Sequence, residues 1–274
     1  MKLSDDAKTS KELNFIDSSV ADGYIVYHKQ LFESNSFGNQ TAEILDRTTS
    51  YFPALLRFFL TDNNFEKDNL VYMRLKSTDI SKIKQAEASG FYYVESSVIS
   101  SLVLRKWNCA AYSRHIKPMT SITAKNLPEV EGIACTIVRN LRFNLDLSIG
   151  NEWADARYLA SLRNAWYYNE DIIALTHHDK IVGFSLLRFE GSVTEASPKG
   201  EKVICRLSGL CPNVKNASLG MIIYALTVAY CQDHGVKRIK GGLSMVNLPA
   251  FNIHSNLGFL YRDPTVVLHY YISE

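Results

Sequence analysis

The stretch Asn247 to Phe259, NLPAFNIHSNLGF, is a helix with a marked start and a marked stop. The Asn247 side chain is suited to accept from the first free backbone N–H groups of a helix. Pro249 fits only in a first turn, where its missing N–H costs nothing. Gly258 suits the left-handed position that ends a helix. Between these, Ala250, Ile253 or His254, and Leu257 recur at helical spacing. His254 is the one titratable group on this short helix.

Upstream, residues 203–210 (VICRLSGL) read as a buried strand. Residues 212–218 are a polar turn, and an apolar helix runs from Leu219 to Cys231, stopping at Asp233-His234-Gly235. Strand, turn and long helix set free backbone N–H groups at a helix N-terminus, where a phosphate is favoured. Gly220 is the one residue there with unusual backbone freedom. Residues 236–243 then read as a strand leading into the Asn247 helix.

This order of elements resembles the GNAT acyl-CoA N-acyltransferase superfamily. Its pyrophosphate loop reads Arg/Gln-x-x-Gly-x-Gly/Ala. Aligned on Pro212, Lys215 takes the basic position, Ser218 the first Gly and Gly220 the second, so two of the three signature positions are altered. Lys keeps the charge of Arg but not its planar donor fork. Downstream, Asn247, Ala250, Gly258 and Phe259 match Asn-x-x-Ala-x-x-x-Tyr-x-x-x-Gly-Phe, with His254 at the Tyr position. The resemblance implies acetyl-CoA as co-substrate, held by Leu210, Lys215, Asn216, Ala217, Ser218, Leu219, Gly220, Asn247 and Ala250.

In that superfamily the Tyr commonly protonates the departing CoA thiolate, while a backbone N–H of the splayed central strand holds the oxyanion. An imidazolium performs the same delivery, and an ordinary histidine, with a pKa of about 6.5, is partly charged near neutrality. His254 is therefore the candidate general acid, or else a structural histidine. Tyr261, Tyr270 and Tyr271 are second candidates for the acid. Glu201 is a candidate base beside the central strand. Arg206 on that strand and Asn164 on the preceding helix are candidate substrate contacts.

The remainder of the C-terminal half suits the same design. Residues 151–168 read as a helix, 171–175 and 180–189 as strands about the tight turn HHDK, and 266–272 as a last strand after a turn at Arg262-Asp263-Pro264. In the N-terminal half, residues 70–75 read as a strand, 79–89 as a helix stopped by Gly90-Phe91, and 92–104 as a further strand. This repeats the strand, helix, Gly-Phe, strand order of the C-terminal half. The expected fold is α/β: a GNAT domain with a mixed central sheet, preceded by a smaller α/β domain of related, incomplete design. The expected division is a polar segment 1–23, an N-terminal domain 24–130 and a catalytic domain 131–274.

Phe37-Gly38 in NSFGNQTAEI, the segment LVYMRLKSTDISKIKQAEASGFYYVES, and Arg142-Phe143 with Asp146 resemble the dTDP-fucosamine N-acetyltransferases of the WecD type. That implies acetyl transfer to the amino group of a nucleotide-linked deoxyamino sugar, as in bacterial lipopolysaccharide or surface-antigen synthesis. A different amine (an amino acid, peptide or antibiotic) and a non-catalytic binding or assembly protein are the alternatives.

Composition agrees with a soluble enzyme. The chain of 274 residues is 46% hydrophobic with a net charge of +2, which supplies core material without a field suited to nucleic acid. No apolar run approaches the roughly 20 residues of a membrane helix, and the polar start has no signal-peptide core. Five cysteines without paired spacing are expected as free thiols in a reducing cytoplasm, and no metal site is expected at His177-His178. Homodimerisation stays open.

Overall fold

A computed structural model describes residues 14–18, 23–30, 40–49, 51–107, 119–137, 141–213 and 218–272. In chain order its elements are β1 (Asn14–Ser18), β2 (Gly23–Lys29), β3 (Thr41–Thr49), α1 (Phe52–Asp62), β4 (Leu70–Lys76), α2 (Ile80–Ala88) and β5 (Tyr92–Val103). There follow β6 (Thr120–Ser121), α3 (Leu127–Ile137), the single turn α4 (Arg142–Leu145), α5 (Asn151–Tyr167), β7 (Asp171–His177) and β8 (Lys180–Glu190). The chain closes with β9 (Lys202–Leu210), α6 (Ser218–Asp233), β10 (Arg238–Ser244), α7 (Leu248–Asn256) and β11 (Leu260–Tyr271). From α5 onward the order is helix, three strands, helix, strand, helix, strand, as the sequence pattern requires.

The chain forms two compact units. One comprises Met1–Ser96, Leu145–Arg157 and Pro264–Glu274, and the other Ser97–Asn144 and Tyr158–Asp263. This differs from a single cut at residue 130, which would fall inside α3. The reason is strand pairing: Thr265–Tyr271 of the last strand lie antiparallel to Leu70–Lys76 of β4, so the C-terminus completes the N-terminal unit. The expected polar segment 1–23 likewise holds β1, which pairs antiparallel with β2. The expected turn at Arg262-Asp263-Pro264 lies within β11, with Asp263 at φ +51°.

In the first unit β2 and β3 are antiparallel, and β3 and β4 are parallel. Strand β4, LVYMRLK, is buried on both faces over its first four residues, which suits its near-continuous apolar run. Its core gathers Ile25, Ile44, Phe59, Val71, Met73 and Leu268. In the second unit β8 is antiparallel to both β7 and β9, while β9 and β10 are parallel. Residues Ser97–Val103 of β5 flank β10. The β7–β8 hairpin turns through His178 and Asp179 at φ +49° and +60°, so the two histidines occupy a turn tip. Helix α6 is apolar all round because both the sheet and α7 cover it; Leu219, Ile223, Leu226 and Val228 are buried in one core.

Candidate active site

The central feature of the second unit is a parallel ladder that stops early. Strands β9 and β10 pair only at Arg238↔Lys202, Ile239↔Val203 and Lys240↔Ile204. The next residue, Gly241, would press a Cβ to 2.8 Å from the Cys205 carbonyl oxygen, so a side chain there would strike β9 where the strands part. On its other edge β9 carries a bulge: Leu186 faces Leu207 and Leu187 faces Cys205, which leaves Arg206 as the extra residue. A bulge bends its strand and re-aims the side chains around it. Between the parted strands lies a cavity of about 90 Å³. Its walls include Ser208 and Leu207 of β9, Gly241 and Gly242 of β10, and Tyr224 of α6. Helix α7 closes it.

Helix α7 is built as its punctuation requires. Asn247 caps it, its side-chain oxygen accepting from the Ala250 N–H at 3.3 Å, and Pro249 lies in the first turn. Gly258 takes φ +84°, and the Phe259 N–H donates to the His254 carbonyl at 3.0 Å, closing the C-terminus. Asn247, Ala250, His254 and Phe259 all face the cavity. The second long helix, α6, begins at Ser218, directly after the loop that the sequence assigns to pyrophosphate. Lys215, Asn216 and Ala217 of that loop lie outside the described residues.

Gly220 lies in the first turn of α6. A Cβ there would meet Ile253 Cδ1 at 3.1 Å and Leu210 Cδ1 at 3.7 Å. Its smallness lets α6 approach α7, with Ile253 on the side where a Cβ would lie. Leu219 is buried in the core, and Leu210 ends β9.

His254 is 6% exposed, with neither ring nitrogen hydrogen-bonded to a described residue. Its ring stacks on Phe259 at 4.4 Å and meets Tyr224 edge-on at 4.8 Å. Burial among these rings pushes its pKa down to about 4. The partly charged imidazolium expected near neutrality is therefore replaced by a neutral ring, because desolvation disfavours the charged form and no carboxylate offsets it.

Of the other catalytic and substrate-contact candidates, only Arg206 lines the cavity. Glu201 precedes β9 and is ion-paired with Lys237, and it is not in the cavity lining. Arg206 lines the cavity, but its guanidinium donates to both Glu170 oxygens at 2.9 and 2.8 Å and to Ser161 Oγ at 3.0 Å. It is thus committed to a protein carboxylate rather than held ready for a substrate phosphate. Asn164 sits half-buried on α5, outside the lining. Tyr261 donates to the Phe251 carbonyl, Tyr271 donates to Asp68, and Tyr270 packs on Phe91.

Sequence reasoning missed Tyr224 and Ser208. Tyr224 sits in a helix that is apolar on every side, so periodicity singles out no face. Burial raises its pKa well above the usual phenol value. Ser208 sits in a strand read simply as buried, and only the partners described below distinguish it.

Among the described residues, no group of three or more His, Cys, Asp or Glu is placed to hold a metal ion. Among them, no helix is long and apolar enough to cross a membrane, and Cys135, Cys205, Cys211 and Cys231 are free thiols.

No protein-family model matches the sequence, and no curated protein is significantly similar to it. Solved structures do share its architecture. A GCN5-related N-acetyltransferase from Sphaerobacter thermophilus superposes with a TM-score of 0.57 at 13% identity, covering 91% of this chain and 76% of that one. A tandem GNAT protein from the clavulanic acid biosynthesis pathway gives a TM-score of 0.54 at 10% identity, covering 91% and 78%. A GCN5-related glucosamine N-acetyltransferase region of a fungal multi-domain GH3 β-N-acetylglucosaminidase gives 0.61 at 12% identity, covering 91% of this chain and 31% of that one. The chain thus has the mixed α/β fold of GCN5-related N-acetyltransferases.

Proposed function

We propose that this protein is an acyl-CoA-dependent N-acyltransferase that moves acetyl from acetyl-CoA to the amino group of a nucleotide-linked deoxyamino sugar. One observation carries the reading: the β9–β10 ladder ends after Lys240↔Ile204, and the gap is walled by the Asn247-capped helix. A gap of this kind offers unpaired strand backbone as hydrogen-bond donors to a thioester carbonyl, and preorganised donors are the main source of oxyanion stabilisation. The start of α6 after the 211–217 loop supplies N–H groups suited to a pyrophosphate.

In the reaction a neutral amine forms a C–N bond at the carbonyl carbon and the C–S bond breaks. One proton leaves nitrogen and one reaches sulfur, so no net proton is consumed. Tyr224 and the neutral His254, each with a proton to give, are among the residues that line the gap. Thiolate developing beside the buried His254 would raise its pKa again, because an opposite charge favours the imidazolium. Alignment of the two substrates supplies the larger share of the rate.

The amino-sugar assignment is supported by the sequence resemblance and by the glucosamine acceptor named for one structural neighbour. The charged side chains lining the gap, Arg206 and Lys240, are ion-paired with Glu170 and Glu190.

Two measurements test the reading in turn. Calorimetric titration with CoA and acetyl-CoA should show saturable binding, and its absence at millimolar ligand ends the acyltransferase reading. Mass spectrometry of acetyl transfer onto a panel of dTDP- and UDP-linked amino sugars then tests the acceptor. CoA binding with no transfer across that panel moves the assignment to another amine. In the same assay His254→Ala and Tyr224→Phe should each lower turnover while leaving CoA affinity within about two-fold; general acid catalysis is worth roughly 10²–10⁴-fold, so a real acid will be evident.

A further inference from the structure

A chain of four side chains runs from the gap into the interior of the second unit. Cys205 Sγ lies 3.0 Å from Ser208 Oγ, Ser208 Oγ 2.7 Å from Ser185 Oγ, and Ser185 Oγ 2.8 Å from Thr227 Oγ1. Thr227 in turn donates to the Ile223 carbonyl at 2.8 Å, with Met119 Sδ at 3.4 Å. Ser185 and Thr227 are 0% and 1% exposed, whereas Cys205 and Ser208 line the gap.

The direction of this chain is set by its inner end. A carbonyl oxygen and a thioether sulfur only accept, and each hydroxyl has one hydrogen to give. Thr227 gives its hydrogen to Ile223, so Ser185 must donate to Thr227 and Ser208 to Ser185. The Cys205 thiol then donates to Ser208. Every hydrogen points inward, so each member outward of Thr227 depends on the next one in for its acceptor.

The outer end of the chain straddles the bulge. Cys205 and Ser208 bracket Arg206, the residue that β9 inserts opposite β8, and Ser208 is itself paired with Ser185 across the ladder. The Cys205–Ser208 contact therefore ties together the two sides of the bulge. The rest of the chain anchors that tie to α6. These residues belong to the stretch of β9 that has left β10, whose backbone faces the gap.

We propose that the Thr227–Ser185–Ser208–Cys205 chain is a positioning device for the thioester, and that Ser208 is its positioning residue. It holds the bulged backbone of β9 in the orientation that addresses the acyl carbonyl. The inference rests on the acyl-CoA reading above and goes beyond it, since it assigns to a threonine outside the gap an effect on the acyl group alone.

The test compares acetyl-CoA with CoA, which differ only by the acyl group, in calorimetric titrations of the full-length protein. In the wild type acetyl-CoA should bind more tightly than CoA. In Thr227→Val, which keeps shape and removes the far hydroxyl, that preference should fall about five-fold or more, the size of one lost hydrogen bond. Affinity for CoA itself should change by less than about two-fold. Ser208→Ala should do the same, and Ser208→Thr, which keeps the hydroxyl, should restore the preference. If Thr227→Val does not fold, Ser185→Ala carries the same comparison.

A Thr227→Val or Ser185→Ala protein that keeps the wild-type preference, or that weakens both ligands equally, overturns the inference and leaves the acyltransferase reading standing. A wild type that binds neither ligand removes that reading, and this inference with it.

Discussion

The β4–α2–β5 segment and the β10–α7–β11 segment are built to one plan, yet one is filled and the other is open. In both, a strand leads to a helix whose N-cap residue, Asp79 or Asn247, precedes a glycine by the same spacing. Gly90 takes φ +96° and Gly258 +84°. The next residue, Phe91 or Phe259, donates its N–H to the carbonyl five residues back, at 3.1 and 3.0 Å. The parallel ladders also stop alike: β3 and β4 pair only from Thr41↔Leu70 to Ile44↔Met73.

What differs is the space beyond. In the first unit Arg47 of β3 turns into it, its guanidinium 4.1 Å from the Phe52 ring and donating to the Lys82 carbonyl at 2.7 Å. Burial lowers its pKa to about 10. Only Ser50 and Tyr51 separate β3 from α1 in the sequence, whereas residues 211–217 separate β9 from α6. At the helix position of His254 the first unit has Ala86. One plan thus yields a plugged gap and an open one, and the difference is made by a few side chains.

The largest expected effect comes from unplugging the closed copy. Arg47→Ala should cost about 2–4 kcal/mol in urea denaturation, since it removes a buried stem, its stack on Phe52 and the partner of Lys82. A loss under about 0.5 kcal/mol would mean that the gap in the first unit is held shut by something else.

The next largest concerns ionisation at the open copy. His254 is held neutral, with a folded pKa of about 4 against about 6.5 when unfolded. The unfolded chain therefore takes up this proton first as pH falls. The stability is present in full above the unfolded pKa and is lost between about pH 6.5 and pH 4, amounting to about 3 kcal/mol. His254→Phe should flatten that part of the stability–pH curve at little cost at pH 7. A wild-type curve that is already flat between pH 6.5 and 4.5 would show the ring to be solvated.

Smaller effects sharpen the match between the two helix ends. Gly258→Ala meets no atom within 4 Å and should cost about 1 kcal/mol for its positive φ alone. Gly90→Ala adds a contact of 2.9 Å with the Tyr270 ring and should cost more, by thermal or urea unfolding. The reverse order would break the comparison. Smallest is the cap: Asn247→Ala should lose about 1 kcal/mol, and Asp79→Ala only a few tenths, because the Asp79 side chain makes no cap hydrogen bond.

Legibility followed the range of the interactions. The strand–helix order from α5 to β11, the stop at Gly258 and the repeat in the first half were readable from residues within a few positions of one another. Partners were not. Neither the Lys237 partner of Glu201 nor the Glu170 and Ser161 partners of Arg206 is marked by any local pattern. Gly220 is marked in the sequence by its backbone freedom, but its packing against Ile253 is set by a residue remote in the chain. Arg47 lies in the half-polar stretch TAEILDRTT, where nothing marks it as buried.

The sequence by itself determined the helix punctuation and the element order of this protein, because caps, proline and left-handed glycine act through the backbone of adjacent residues. The tertiary structure alone decided that one gap is open and the other plugged, that His254 is neutral, and that Ser208 is tied to Thr227. These outcomes depend on desolvation and hydrogen bonding by atoms remote in the chain, whose distances come into being only when the sheet and helices assemble.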